Sequence, residues 1–121
     1  MSKNNELGKY LKKLRIDREQ NMNDMATELD VSTAFLSAVE TGKKNIPSRL
    51  VTKIYHEYEM SPDQKTTFLD AVAKTSDKVD IKMEKGADRR NAVVLSLMAE
   101  IDNLSDEDLE AIQKIIKKDQ L

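Results

Sequence analysis

The chain has 121 residues, of which 39% are hydrophobic and 35% charged, enough for about one small domain, or one with an extension, around a modest core. No apolar run approaches the roughly 18 residues of a membrane-spanning helix, and the N-terminus MSKNNELGKY has no apolar stretch of the secretory kind. Cysteine is absent, which excludes disulfides, thiolate metal sites and a thiol nucleophile; a cytoplasmic protein is the expectation.

Leu7, Leu11 and Leu14, with Tyr10 beside them, repeat at helical spacing and predict an amphipathic first helix from about Asn5 to Arg18. Asn21 is followed at N3 by Asp24, a capping signal, and Met22, Met25, Ala26 and Leu29 then predict a short second helix. Asp30-Val31 interrupts it. Ser32 can cap a third helix carrying Leu36 and Val39, which Thr41-Gly42 ends. Two short helices joined by a tight turn describe a helix-turn-helix, in which the first helix braces the second so that the second can enter a DNA major groove.

The donor-rich loop Gly42-Lys43-Lys44-Asn45 follows, and Pro47 keeps Ile46 extended. A fourth helix is expected from Ser48, with Leu50, Ile54 and Tyr58 buried. Ser61-Pro62-Asp63-Gln64 is a strong start for a fifth, from which Phe68, Leu69 and Val72 should face inward. The pattern then changes. Val79, Ile81 and Met83 alternate with charged residues, the period of a strand. A lone strand needs a partner, and the economical one is the same strand of a second copy, antiparallel across a two-fold axis. Gly86 closes the stretch. A helix from about Asp88 to Ile101 carries Val93, Val94, Leu97, Met98 and Ile101; Ser105 caps a last helix with Leu109, Ile112, Ile115 and Ile116. The expected architecture is mainly α: residues 1–76 as five helices around one core, and residues 77–121 as a strand and two helices that hold a homodimer. Val79, Ile81, Met83, Val94, Leu97, Met98, Ile101, Ile112 and Ile116 are the expected dimer contacts.

Net charge is −2. Residues 1–60 carry ten Lys and Arg against nine Asp and Glu, and residues 61–121 ten against thirteen, so a local patch rather than bulk charge would have to attract phosphates.

Residues 7–75 resemble the Xre/Cro-like helix-turn-helix regulators, the fold of many phage repressors. The resemblance rests on Leu7, Leu11 and Arg15 in the first helix, Met25-Ala26 and Leu29 in the second, and then Val31-Ser32, Leu36-Ser37, Val39-Glu40, Gly42 and Pro47-Ser48. It implies a five-helix, lambda-repressor-like domain and a sequence-specific repressor of transcription that binds double-stranded DNA as a dimer, its operator an inverted repeat. The match of the C-terminal elements to small prophage-borne members is looser. Two departures stand out: Asp30 occupies a turn position where the family often has Gly, and the recognition helix lacks the Gln and Arg often used to read bases.

The resemblance also implies that Arg15 pairs with Glu40 and locks the recognition helix in place; otherwise they are two solvated charges. Thr33, Ala34, Ser37 and Ala38 face outward if Leu36 and Val39 point in. Such small side chains let the helix approach base edges and offer methyls and hydroxyls to them. Phe35, beside this face, either contacts thymine methyls or packs on the first helix or the following loop. Lys43, Lys44, Asn45 and Arg49 match a loop that lies along the phosphate backbone, and Asn21 can cap its helix and touch a phosphate as well.

His56 is the single histidine, so a zinc site is not expected, and the acids from Asp102 to Glu110 lack the pattern of a calcium loop. With no Gly-rich phosphate loop and no catalytic set in context, no enzyme and no cofactor are expected. The competing expectation is a protein-interaction module, antitoxin-like or a phage inhibitor of a host protein, whose residues 79–121 bind a protein partner.

Overall fold

The computed structural model describes residues 5–117. Among them lie seven α-helices: α1 (Asn5–Asp17), α2 (Met22–Glu28), α3 (Thr33–Glu40), α4 (Ser48–Glu57), α5 (Pro62–Thr75), α6 (Asp88–Glu100) and α7 (Asp106–Lys117), with a 3₁₀ turn over Ile101–Asn103. The chain divides into two compact units, Met1–Asp80 and Ile81–Leu121. No described helix is long and apolar enough to cross a membrane.

In the first unit, α1–α5 close around one core. Leu7 and Leu11 of α1, Met25 of α2, Leu36 of α3, Ile54 of α4 and Phe68 of α5 are all but inaccessible. Three of these helices, α2, α3 and α5, begin where a side chain satisfies one of their first amides. Asn21 Oδ1 accepts the Asp24 N–H at 2.8 Å, and Asp24 Oδ2 accepts the Asn21 N–H at 2.9 Å. Ser32 Oγ accepts the Phe35 N–H at 3.0 Å. Ser61 and Gln64 form a second reciprocal box at the start of α5, with Pro62 as its first helical residue. Between α2 and α3, Asp30 takes φ 57°, a conformation that Asp reaches more readily than most side chains.

Packing of α1 on α5 is aromatic. Tyr10 stacks on Phe68 with centroids 5.6 Å apart, Tyr55 of α4 meets the same ring edge-on at 6.0 Å, and the Tyr10 hydroxyl donates to the Gln64 carbonyl at 3.2 Å. Phe68 and Val72 point inward as expected, but Leu69 is exposed. Phe68, Ala71, Val72 and Thr75 form the buried stripe at helical spacing, and Leu69 falls outside it.

In the second unit, α6 and α7 are formed but none of their described side chains is fully buried. Ser105 Oγ accepts the Asp108 N–H, and Asp108 Oδ2 the Ser105 N–H, both at 3.1 Å, so α7 is capped as its sequence suggests. The expected strand is not present: no strand occurs among the described residues, and Val79, Ile81 and Met83 lie in irregular chain. Alternation selects a face, but a strand exists only where another backbone meets its amides, and the described residues of one copy supply none.

Candidate functional site

The features that the sequence singles out converge on α3 and the loop behind it. Leu36 and Val39 are buried beneath α3, and Glu40 closes its last turn at 7% exposure. Arg15, on the third apolar turn of α1 and also 7% exposed, grips Glu40 with both guanidinium nitrogens; the Nη2–Oε1 contact is 3.2 Å and the Nη1–Oε2 contact is shorter. Arg15 Nη1 further lies 3.6 Å from the Met25 sulfur. This two-pronged, desolvated pair ties α1, α2 and α3 together at one point, and a planar fork on a carboxylate fixes orientation as well as distance.

With that side of α3 held inward, Thr33 and Ala34 are exposed, and Ser37 and Ala38 are half-exposed. Phe35 is half-buried and packs against the core, which favours the packing alternative for its ring. Thr33 Oγ1 donates to Asn23 Oδ1 of α2 at 3.3 Å, so the two helices also touch at the outer rim. The outward surface of α3 is therefore a rigid strip of methyls and hydroxyls with no bulky group between backbone and whatever approaches it.

Behind α3 the chain reverses through Gly42, at φ 77°. The Gly42 N–H donates to the Val39 carbonyl at 3.2 Å and the Lys43 N–H to the Ala38 carbonyl at 2.8 Å, the paired bonds of a Schellman cap. Lys43 and Lys44 thus leave a fixed backbone with exposed side chains, and Arg49 is exposed on the first turn of α4. The N-cap of α4 is Pro47, with no side-chain cap, and the Leu50 N–H donates to the Pro47 carbonyl at 3.0 Å. Asn45 is placed differently from the rest. It is half-buried, and its Oδ1 accepts the Asp77 N–H at 3.3 Å, which anchors the loop to the chain leaving α5. Asn21 is exposed, with its carbonyl oxygen used by the α2 cap.

One group of residues escaped sequence reasoning. The Tyr58 hydroxyl donates to Gln20 Oε1 at 2.7 Å, Gln20 Nε2 donates to Glu28 Oε1 at 2.9 Å, Arg18 lies 3.8 Å from Glu28, and the Arg18 guanidinium sits 4.4 Å above the Tyr58 ring. Burial, and then the Glu28 carboxylate, push the Tyr58 hydroxyl far above the ordinary tyrosine range. The group ties the end of α2, at Glu28, to the segment that leaves α1 and to the C-cap of α4. Its members lie on separate elements, and no local spacing marks them.

The expected dimer residues are all at least half-exposed: Val79, Ile81, Met83, Leu97, Met98, Ile101 and Ile116 are exposed, and Val94 and Ile112 half-buried. Among the described residues no group of His, Asp and Glu is placed to hold a metal ion. Comparison with known proteins finds no matching family model, no matching curated protein and no matching solved structure.

Proposed function

We propose that the chain is a sequence-specific, double-stranded-DNA-binding regulator of transcription, a dimeric repressor whose lambda-repressor-like first unit places α3 in the major groove. The observation that carries this reading is the outward strip Thr33, Ala34, Ser37 and Ala38 on a helix whose other side is locked by Arg15 and Glu40. A helix that reads base edges has to be rigid and closely approachable, and this one is both. Lys43, Lys44, Arg49 and the uncapped start of α4 lie on the segment that follows α3 and supply the charge for phosphate contacts despite the net negative chain. The exposed apolar residues of the second unit supply a homodimer interface. A dimer sets two α3 helices on an inverted repeat with half-sites about 34 Å apart.

Selection from a random DNA pool, followed by salt-dependent gel retardation, tests this. The expected result is an inverted-repeat site whose binding Ala34→Glu abolishes at unchanged melting temperature, because that substitution places a carboxylate in the groove without touching the core. Retained affinity in a normally folded Ala34→Glu protein would remove α3 as the reading helix.

A second reading is favoured by one observation. The second unit buries none of its described residues fully, as expected of a surface that binds a different protein, antitoxin-like or inhibitory. A heteromeric complex with no DNA retardation at low salt would select it.

A further inference from the structure

The segment from Lys78 to Glu84 runs across the boundary of the two units. Val79, Ile81 and Met83 are 47%, 49% and 45% exposed, and their neighbours alternate in charge as Lys78, Asp80, Lys82 and Glu84. One edge of this segment is already engaged by the start of α6. Asn91 Nδ2 donates to the Glu84 carbonyl at 2.8 Å, and Asn91 Oδ1 accepts the Glu84 N–H at 3.1 Å. Arg90 Nη1 donates to the Lys82 carbonyl at 3.1 Å and to Asn91 Oδ1 at 2.9 Å. Asn91 thus meets Glu84 as a neighbouring strand would, through both backbone groups of one residue.

In an extended chain the amide groups of alternate residues point to opposite edges. Paired as a strand, the segment would turn Lys82 and Glu84, whose backbone groups Arg90 and Asn91 already bond, to one edge and Val79, Ile81 and Met83 to the other. Among the described residues none bonds to the backbone of these three.

We propose that this edge pairs with its own counterpart in a second copy, antiparallel, with Ile81 opposite Ile81 at the two-fold axis. The inference rests on the dimeric reading above and specifies its register. Charge complementarity selects that register. With Ile81 on the axis, Asp80 faces Lys82 of the second copy and Lys78 faces Glu84 of the second copy, each pair occurring twice by symmetry. These are the non-hydrogen-bonded positions, where side chains come closest. Val79 and Met83 face each other on the opposite side of the ribbon and join Ile81 in one apolar patch.

Every neighbouring register is worse. A slip of one residue sets Val79 against Lys82 and mixes the two faces. A slip of two sets Asp80 against Asp80 and Lys78 against Lys82, or Lys82 against Lys82 and Asp80 against Glu84. A slip of four leaves Ile81 opposite Asp77 or Lys85. A parallel, in-register pair would set every charge beside its own copy.

The chain contains no cysteine, so single-cysteine variants report the register directly. Opposed residues of a hydrogen-bonded pair lie about 5.5 Å apart at Cα, within disulfide range, whereas residues offset by two positions exceed the roughly 7 Å limit. In the full chain under mild oxidation, Ile81→Cys is expected to form covalent dimer roughly tenfold faster than Asp80→Cys or Lys82→Cys. In sedimentation, Asp80→Lys should raise the dimer dissociation constant roughly tenfold, and Asp80→Lys combined with Lys82→Asp should restore it. Faster cross-linking at position 80 or 82, or no rescue in a protein that still dimerises, overturns the register and leaves the dimeric regulator standing. A dimer that cross-links at none of these positions overturns the pairing and puts the interface on α6 and α7 alone. A full-length monomer at micromolar concentration overturns both the pairing and the dimeric reading, as does a chain whose segment is covered by a different protein.

Discussion

Phe68 and Ile54 in the first unit have no accessible surface, whereas Met98 and Ile116 in the second, equally apolar, are 65% and 63% exposed. The helices of the two units are held by different means. In the first, α1–α5 pack on several sides of one another, and their apolar stripes meet at a common centre. In the second, local signals suffice to form the helices. Asp106, Glu107 and Asp108 lie at the start of α7 and Lys114 and Lys117 at its end, matching the helix dipole, and Glu110 stands 3.8 Å from Lys114 one turn on. Such terms are each worth only a few tenths of a kcal/mol, and helices of this length are marginal without packing. The contrast is between a unit with a buried core of its own and one whose described helices bury no side chain fully.

Ending the chain at Asp80 is the severest test of that contrast. The truncated protein should keep a cooperative, helix-rich unfolding transition, sediment as a monomer, and bind the operator more weakly by roughly 100-fold or more, since one half-site then acts alone. Loss of cooperative unfolding would show that the first unit depends on the second.

Within the first unit, the buried ion pair is the most sensitive point. Arg15→Ala leaves Glu40 desolvated without its partner and should lower the unfolding free energy by about 3–5 kcal/mol in urea titration. A loss under about 1 kcal/mol would mean that the pair behaves like a surface bridge.

Tyr58→Phe is the next smaller effect, about 1 kcal/mol at neutral pH for the lost bond to Gln20. It also changes the alkaline limb. The Tyr58 hydroxyl holds its proton in the folded state to higher pH than in the unfolded chain. The folded state therefore binds more protons above about pH 10, and the stabilisation present below that pH is lost as pH rises. Tyr10 and Tyr55, raised by burial, act in the same direction. Chemical denaturation of Tyr58→Phe between pH 8 and pH 11 should show a shallower decline than the parent; an unchanged slope would mean that Tyr58 ionises as freely folded as unfolded.

The smallest effect sits in the turn between α2 and α3. Asp30→Gly relieves a left-handed backbone and should raise stability by about 0.5–1 kcal/mol, visible as a higher melting temperature. The second unit meets the same demand with glycine already, at Gly86 with φ 84°, so the reverse substitution Gly86→Asp should lower the helix content of a 81–121 fragment rather than raise it.

Much of the helical structure was legible from residue order, and the reasons are local. The Asn21–Asp24 box, Ser61-Pro62-Gln64 and the Ser105 cap are each decided within four residues, and each formed where its sequence placed it. The outward strip of α3 followed from the inward spacing of Leu36 and Val39. The link between Asn45 and Asp77 was not legible, because it joins residues 32 positions apart, and the exposure of Leu69 was missed because it lies one residue off the stripe of Phe68, Ala71, Val72 and Thr75.

The residue order by itself determined where most helices start and stop and most of the residues that form their apolar stripes. These are properties of short-range hydrogen bonding and of periodicity. Tertiary structure alone decided that Tyr58, Gln20, Glu28 and Arg18 meet across three elements, that Phe35 packs on the core, and that alternation from Val79 to Met83 forms no strand within one copy. A helix closes its own hydrogen bonds, whereas a strand and a side-chain network take theirs from groups distant in sequence, so only the arrangement of the whole molecule settles them.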